Sequence, residues 1–118
     1  MNVKRGDVVL AYVDFVGSAG GKTRPAVVVQ ADYYNLRLNE TLIAAITSNL
    51  GQVHETSQLL IEVATLDGTA TGLLHDSAVR CERIHCIPQA DVKRIIGKLS
   101  TNLMSEVDAC LLAAFAIP

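Results

Sequence analysis

Tryptophan is absent, and three tyrosines with two phenylalanines are all the large aromatics the chain has. Its 50% hydrophobic content is therefore mostly Ala, Val, Leu and Ile, which suits a compact aliphatic core and leaves apolar surface for a partner. An excess of cations is also missing. Ten Lys and Arg against twelve Asp and Glu leave a net charge of -2, which argues against wholesale binding of duplex nucleic acid, where affinity grows with the number of phosphates neutralised. A local basic site stays open, because Lys4, Arg5, Lys22, Arg24, Arg80 and Arg83 can all fall on strand ends and loops of one sheet. Cys81, Cys86 and Cys110 are odd in number and contain no CxxC pair, so a disulfide framework or a metal site is a poor reading. Reduced thiols and no cofactor are expected. Lys4-Arg5-Gly6-Asp7 leads straight into a short strand pattern rather than a signal peptide, and no apolar run approaches the ~20 residues of a membrane helix. A cytoplasmic protein is expected, with residues 1–118 forming one domain. No phosphate loop, dinucleotide glycine fingerprint, HExxH or GxSxG occurs, and there is no repeat, linker or low-complexity tract.

What the chain does have is centred on Gly20 to Gln30, GGKTRPAVVVQ, and its expected neighbour Thr41 to Ser48, TLIAAITS. The glycine pair, the Arg-Pro step and the run Ala26 to Val29 describe a mobile loop feeding a buried strand. Pro25 disfavours the helical region for Arg24, which should be extended and held where loop becomes sheet. Leu42 to Ile46 is a second apolar strand and ends on two hydroxyls, Thr47 and Ser48. If the two strands pair, Arg24 and Thr47 lie close together at one edge of the sheet.

Taken in order, Val8 to Val16 reads as the first strand, and Gly17 to Gly21 as a loop longer than an ordinary hairpin connection. Ala31 to Leu38 reads as a short helical turn, Asn49 to Ser57 as a polar loop, and Leu59 to Val63 as a further strand. Thr69 to Leu74 reads as a single turn, followed by short strands at Ser77 to Cys81 and Ile84 to Ile87. From Asp91 the spacing of Val92, Ile95, Ile96 and Leu99 is helical, although Gly97 interrupts it. Ser100 or Thr101 then caps a terminal helix whose apolar face carries Leu103, Val107, Cys110, Leu111 and Ala114. That helix should close the open side of a bent sheet, giving a mainly β, α+β fold: a small β-barrel with a C-terminal helix.

Arg5-Gly6-Asp7-Val8-Val9, Thr23-Arg24-Pro25-Ala26-Val27-Val28-Val29, Ile46-Thr47-Ser48, Thr71-Gly72-Leu73, Ser77 to Cys81 and Gly97-Lys98-Leu99-Ser100 occur in the order in which the MazF/PemK toxins carry such segments. Across nearly its whole length the chain resembles that family. The resemblance implies an SH3-like barrel, a homodimer, a cognate antitoxin, and metal-independent, sequence-selective cleavage of single-stranded RNA by its own 2′-hydroxyl. It implies catalytic roles for Arg24 and Thr47, and acid and base roles for Arg80 and Glu82. RNA contacts are expected from Gly20, Gly21, Lys22, Thr23, Ser48, Asn49, Arg83 and His85. Where the family pattern resembles Gln-Ile-Arg-Thr-Ile, this chain has Arg83-Ile84-His85-Cys86-Ile87.

Chemistry supports part of this directly. A guanidinium fork can hold two phosphate oxygens at once, so Arg24 suits a crowded phosphorane, and Thr47 can donate to a third oxygen. Composition alone favours a surface arginine paired with Asp7 or Asp14, and a strand-end hydroxyl bonded to its own backbone. For proton transfer, His54, His75 and His85 stand beside the pair Arg80 and Glu82, which alternation puts on one face with Cys81 on the other. Two other readings remain: a CcdB-type gyrase poison acting through the end of its terminal helix, and a catalytically silent barrel that binds antitoxin or RNA.

Overall fold

The structure, a computed structural model, describes residues 2–13 and 21–118. Gly20, the hinge run Gly17 to Ala19, and the end of the expected first strand at Asp14, Phe15 and Val16 lie outside the described residues. Among the described residues, strands β1 (Asp7–Val13), β2 (Lys22–Val28), β3 (Glu40–Thr47), β4 (Gln58–Ile61), β5 (Ser77–Pro88) and β6 (Val92–Lys98) form one antiparallel sheet. Their spatial order is β4-β5-β3-β2-β1-β6. Helices α1 (Asp32–Arg37), α2 (Leu66–Thr69) and α3 (Thr101–Ala114) complete the α+β fold.

Both faces of the central strands are buried, which is why Ala26 to Val28 and Ile43 to Ile46 read as apolar runs rather than alternations. Val8, Val27, Ala44, Ile46, Val79 and Cys81 turn to one face, where Val107 and Cys110 of α3 cover them. Val9, Ala11, Ala26, Val28, Ile43 and Ile87 turn to the other and pack with Val3 and Val92. Ser100 is the N-cap of α3, its Oγ accepting from Leu103 N–H at 3.1 Å, and the five apolar residues expected on that helix all face the first cluster.

The expected helical stretch at Val92 to Leu99 is instead β6, and its register explains the misleading spacing. Val8 pairs with Gly97 but Val9 with Ile95, and Leu10 pairs with Arg94 but Ala11 with Val92. Each step leaves one extra residue in β6, a β-bulge, so Val92 and Ile95 share a face although they are three apart. A similar irregularity joins the two short strands expected around Glu82 into one. Ala45 lies opposite Arg80 while Ala44 lies opposite Ile84, so Cys81, Glu82 and Arg83 bulge out of a continuous β5.

No ladder joins the edge strands β4 and β6, so the sheet is not a hydrogen-bonded barrel. The segment after α2 fills the gap, with Lys98 N–H donating to Ala70 O at 3.1 Å. Backbone meets backbone here through two glycines. A Cβ on Gly97 would stand 2.4 Å from Ala70 O and from Thr71 C and O, and one on Gly72, whose φ is +74°, 2.0 Å from Ile96 O.

Candidate active site

β2 and β3 part company at the place the site forms. Their ladder runs only from Val28↔Ile43 to Ala26↔Ala45, after which β2 continues along β1 as far as Val13↔Lys22 and β3 continues along β5 as far as Thr47↔Ala78. Continuing the β2–β3 register two steps would set Arg24 opposite Thr47. Because the strands diverge, the two residues instead line opposite lips of a cleft of about 690 Å³. Strand β2 begins at Lys22, so Arg24 sits within the sheet rather than at a loop-to-strand junction. Pro25, one step past the last β2–β3 pair, occupies a position with a strand neighbour on one side only, where a missing N–H is tolerated.

The cleft gathers four arginines from three strands: Arg24, Arg80, Arg83 and Arg94. Thr47, Ser48, His75, His85, Ser77 and Leu74 line it with them. Arg24 is exposed and forms no ion pair among the described residues, so the pairing with Asp7 is not made; Asp7 Oδ2 accepts from Lys4 N–H instead. Thr47 Oγ1 accepts from Asn49 N–H at 3.1 Å, which fixes the oxygen and leaves the hydroxyl hydrogen to donate. Gly21, Lys22, Thr23 and Asn49 are not among the residues lining the cleft; Lys22 and Thr23 continue β2 past Arg24 and are exposed. Arg5 is drawn away from the site, held by Asp108 of α3 at 2.6 Å and by Val29 O at 2.9 Å.

Arg80 Nε donates to Glu82 Oε2 at 2.8 Å, so alternation across the bulge does bring these two together. Arg80 lines the cleft and Glu82 stands beside it. Glu82 also accepts from Ser57 Oγ at 3.1 Å and Gln58 Nε2 at 3.0 Å. Burial alone would raise its pKa, but hydrogen bonds from its own backbone, Arg80, Gln58 and Ser57 outweigh that and hold it below the ordinary carboxylate value. His85 is shifted down, first by burial and then by the Arg83 charge, so its imidazole is neutral at neutral pH. Burial, with the neighbouring Cys110 and Glu82, pushes the Cys81 thiol up to about 12. All three cysteines are unbridged, and no group of three His, Cys, Asp or Glu among the described residues is arranged to hold a metal ion. Arg94, Leu74 and Ser77 escaped the sequence reading. Arg94 was hidden by the helical spacing of β6; Leu74 ends the expected turn and Ser77 opens the family-like segment Ser77 to Cys81, but nothing in the sequence marks either as lining the cleft.

A cationic groove opened by strand divergence in a small antiparallel sheet marks an α+β fold whose cleft suits an anionic ligand, and comparison narrows the class. Residues 4–115 match the family described as PemK-like, MazF-like toxin of type II toxin-antitoxin system, and the chain belongs to that family. It is 31% identical over 118 residues to Endoribonuclease EndoA of Bacillus subtilis, covering 99% of this chain and 97% of that one. In fold it matches Mycobacterium tuberculosis toxin MazF-mt6 with a TM-score of 0.77 and 20% identity, over 95% of this chain and 98% of that one. It also matches an endoribonuclease in complex with its cognate antitoxin from a mycobacterial species, with a TM-score of 0.78 and 15% identity over 98% and 97% of the two chains.

Proposed function

We propose that this toxin is an endoribonuclease that cuts single-stranded RNA in the cleft between β2 and β3. The 2′-hydroxyl oxygen attacks the adjacent phosphorus, the bond to the 5′-oxygen breaks, and the products are a 2′,3′-cyclic phosphate and a 5′-hydroxyl. Such a reaction takes its nucleophile from the substrate. The protein must hold the phosphate, neutralise the charge that builds on it and move two protons. Arg24 clamps the non-bridging oxygens, the Thr47 hydroxyl donates to one of them, and Arg80 supplies a second guanidinium beside its partner Glu82. His85, neutral and on the cleft wall, takes the 2′-hydroxyl proton, and the departing 5′-oxygen takes its proton from water in the open cleft. One observation carries the reading: four arginines and a strand-end threonine share one groove in a protein that is acidic overall.

The relatives' names support RNA as the substrate, and the antitoxin complex among the fold neighbours supports a cognate antitoxin as the partner that blocks the groove. A homodimer in the cytoplasm completes the proposal; no helix of the described residues is long and apolar enough to cross a membrane. The test is incubation with a long single-stranded RNA in the presence of chelator, followed by mapping of the new 5′ ends. Arg24→Ala should cut about 10²- to 10³-fold more slowly, the cost of removing one donor to a developing anion. Because Arg24 is exposed, its unfolding midpoint should not move. Wild-type rates from Arg24→Ala would remove the phosphate clamp from this scheme.

A further inference from the structure

Gln58 is 92% buried on an edge strand, directly opposite Arg80 in the β4–β5 register. A carboxylate cannot donate, so the amide nitrogen must face Glu82, and that choice strands the other end of the side chain: Gln58 Oε1 is buried with no hydrogen-bond partner among the described residues. An orphaned buried oxygen is costly and uncommon. A leucine of similar size would avoid it. The chain carries the amide nonetheless, and the one hydrogen bond its side chain makes among the described residues goes from Nε2 to Glu82.

We infer that Gln58, with Ser57, is a positioning residue for Arg80, acting through Glu82. Three donors converge on Glu82: Ser57 Oγ on Oε1, and Gln58 Nε2 and Arg80 Nε on Oε2. So held, the carboxylate has one fixed direction and grips the guanidinium by its Nε edge. The two terminal nitrogens of Arg80 then form the outward edge of the fork, on a side chain that lines the cleft. An arginine without such a tether spends its long side chain's freedom at each binding event, whereas this one is oriented beforehand. In this arrangement Glu82 is an orienting anion rather than the proton acceptor. The inference rests on reading the cleft as the RNA site.

Three variants test it: Gln58→Leu, Ser57→Ala and Glu82→Gln. Each is assayed for cleavage of a labelled single-stranded RNA across pH, and ¹⁵N spectra follow the exchange of the Arg80 Nε–H proton. Gln58→Leu should keep or raise the urea midpoint, since it removes the orphaned oxygen. Its rate at saturating RNA should fall about 10- to 100-fold, the penalty for a misplaced catalytic group, with the shape of the pH profile kept. Arg80 Nε–H exchange should quicken. Ser57→Ala should do the same more weakly, and Glu82→Gln, which still offers Arg80 an acceptor, should keep the acid limb of the profile. A wild-type rate and unchanged Arg80 exchange in Gln58→Leu would overturn the assignment, as would loss of the acid limb in Glu82→Gln. Should the native protein cut no RNA, the reading of the cleft fails, while the Arg80 exchange rates still decide whether Gln58 and Ser57 position it.

Discussion

Gly97→Ala should be among the most damaging single-methyl additions to this protein, and its cost can be worked out from the seam between β6 and the segment after α2. The added carbon would lie 2.4 Å from three backbone atoms, Ala70 O and Thr71 C and O, where ordinary contact begins at 3.4 Å. No rotamer relieves this, since every atom concerned belongs to the main chain. The strand or the segment must move by about 1 Å, at an overpacking cost of about 1–3 kcal/mol. The Lys98 N–H to Ala70 O bond at 3.1 Å stretches with it, adding about 1 kcal/mol. Against this, alanine restricts the unfolded chain and returns about 0.4–1 kcal/mol. A net loss of about 2 kcal/mol remains. With a urea m-value of about 1.5–2 kcal/mol/M, the unfolding midpoint should fall by about 1 M. Leu66→Ala, at a side chain 91% exposed, is the control and should stay within about 0.5 kcal/mol of the parent. The same segment runs on into Gly72, Leu73, Leu74 and His75 on the cleft wall, so the KM for RNA should rise as well. A midpoint for Gly97→Ala equal to that of the parent would mean that the two glycines are not holding the edges of the sheet together.

The Glu82 ion pair makes a pH signature: its folded pKa lies below the unfolded one, so its stabilisation is complete above the unfolded value and is lost as pH falls through the folded value. Urea midpoints measured from neutral to acid pH should therefore drop less steeply in Glu82→Gln than in the parent, and equal slopes would contradict the tethering. Titration with a thiol reagent should show Cys86, which is exposed, reacting at once, while buried Cys81 and Cys110 wait on unfolding. Binding of a non-cleavable single-stranded RNA should weaken with salt at a log–log slope of about -2 to -3, as for three or four phosphates neutralised, and a flat response would detach the arginine cluster from RNA.

Much of this was legible in the residues. The apolar runs around Val27 and Ala44 gave both central strands, Ser100 announced the cap of α3, and the order of short motifs pointed to the family. Register was not legible, because it depends on partners distant in sequence. The two bulges in β6 made Val92, Ile95 and Leu99 look helical, and so concealed that Arg94 joins the cleft. Glu82 was visible as a partner for Arg80, but Ser57 and Gln58, more than twenty residues earlier, meet it only because β4 lies against β5 in one particular alignment. Leu74 was legible only as the end of the turn Thr69 to Leu74, and nothing in the residues showed that it would stand 86% exposed on the cleft wall.

The Arg-Pro step has a structural reason that its sequence alone does not disclose. Where two antiparallel strands diverge, each leaves backbone donors and acceptors facing a gap, and such edges tend to zip together or recruit another strand. Pro25 has no N–H to offer the next pair in the β2–β3 ladder, so the ladder stops at Ala26↔Ala45 and the gap persists. Arg24, one residue further along, puts a charge into the same space, and the strand-end residues Thr47 and Ser48 line the same cleft. The proline keeps the groove from closing and the arginine makes it attractive to an anion. On the proposed reading a net-acidic chain binds a polyanion because its attraction is concentrated in one cleft, while repulsion from charges further off than a Debye length, about 10 Å at 0.1 M salt, is screened.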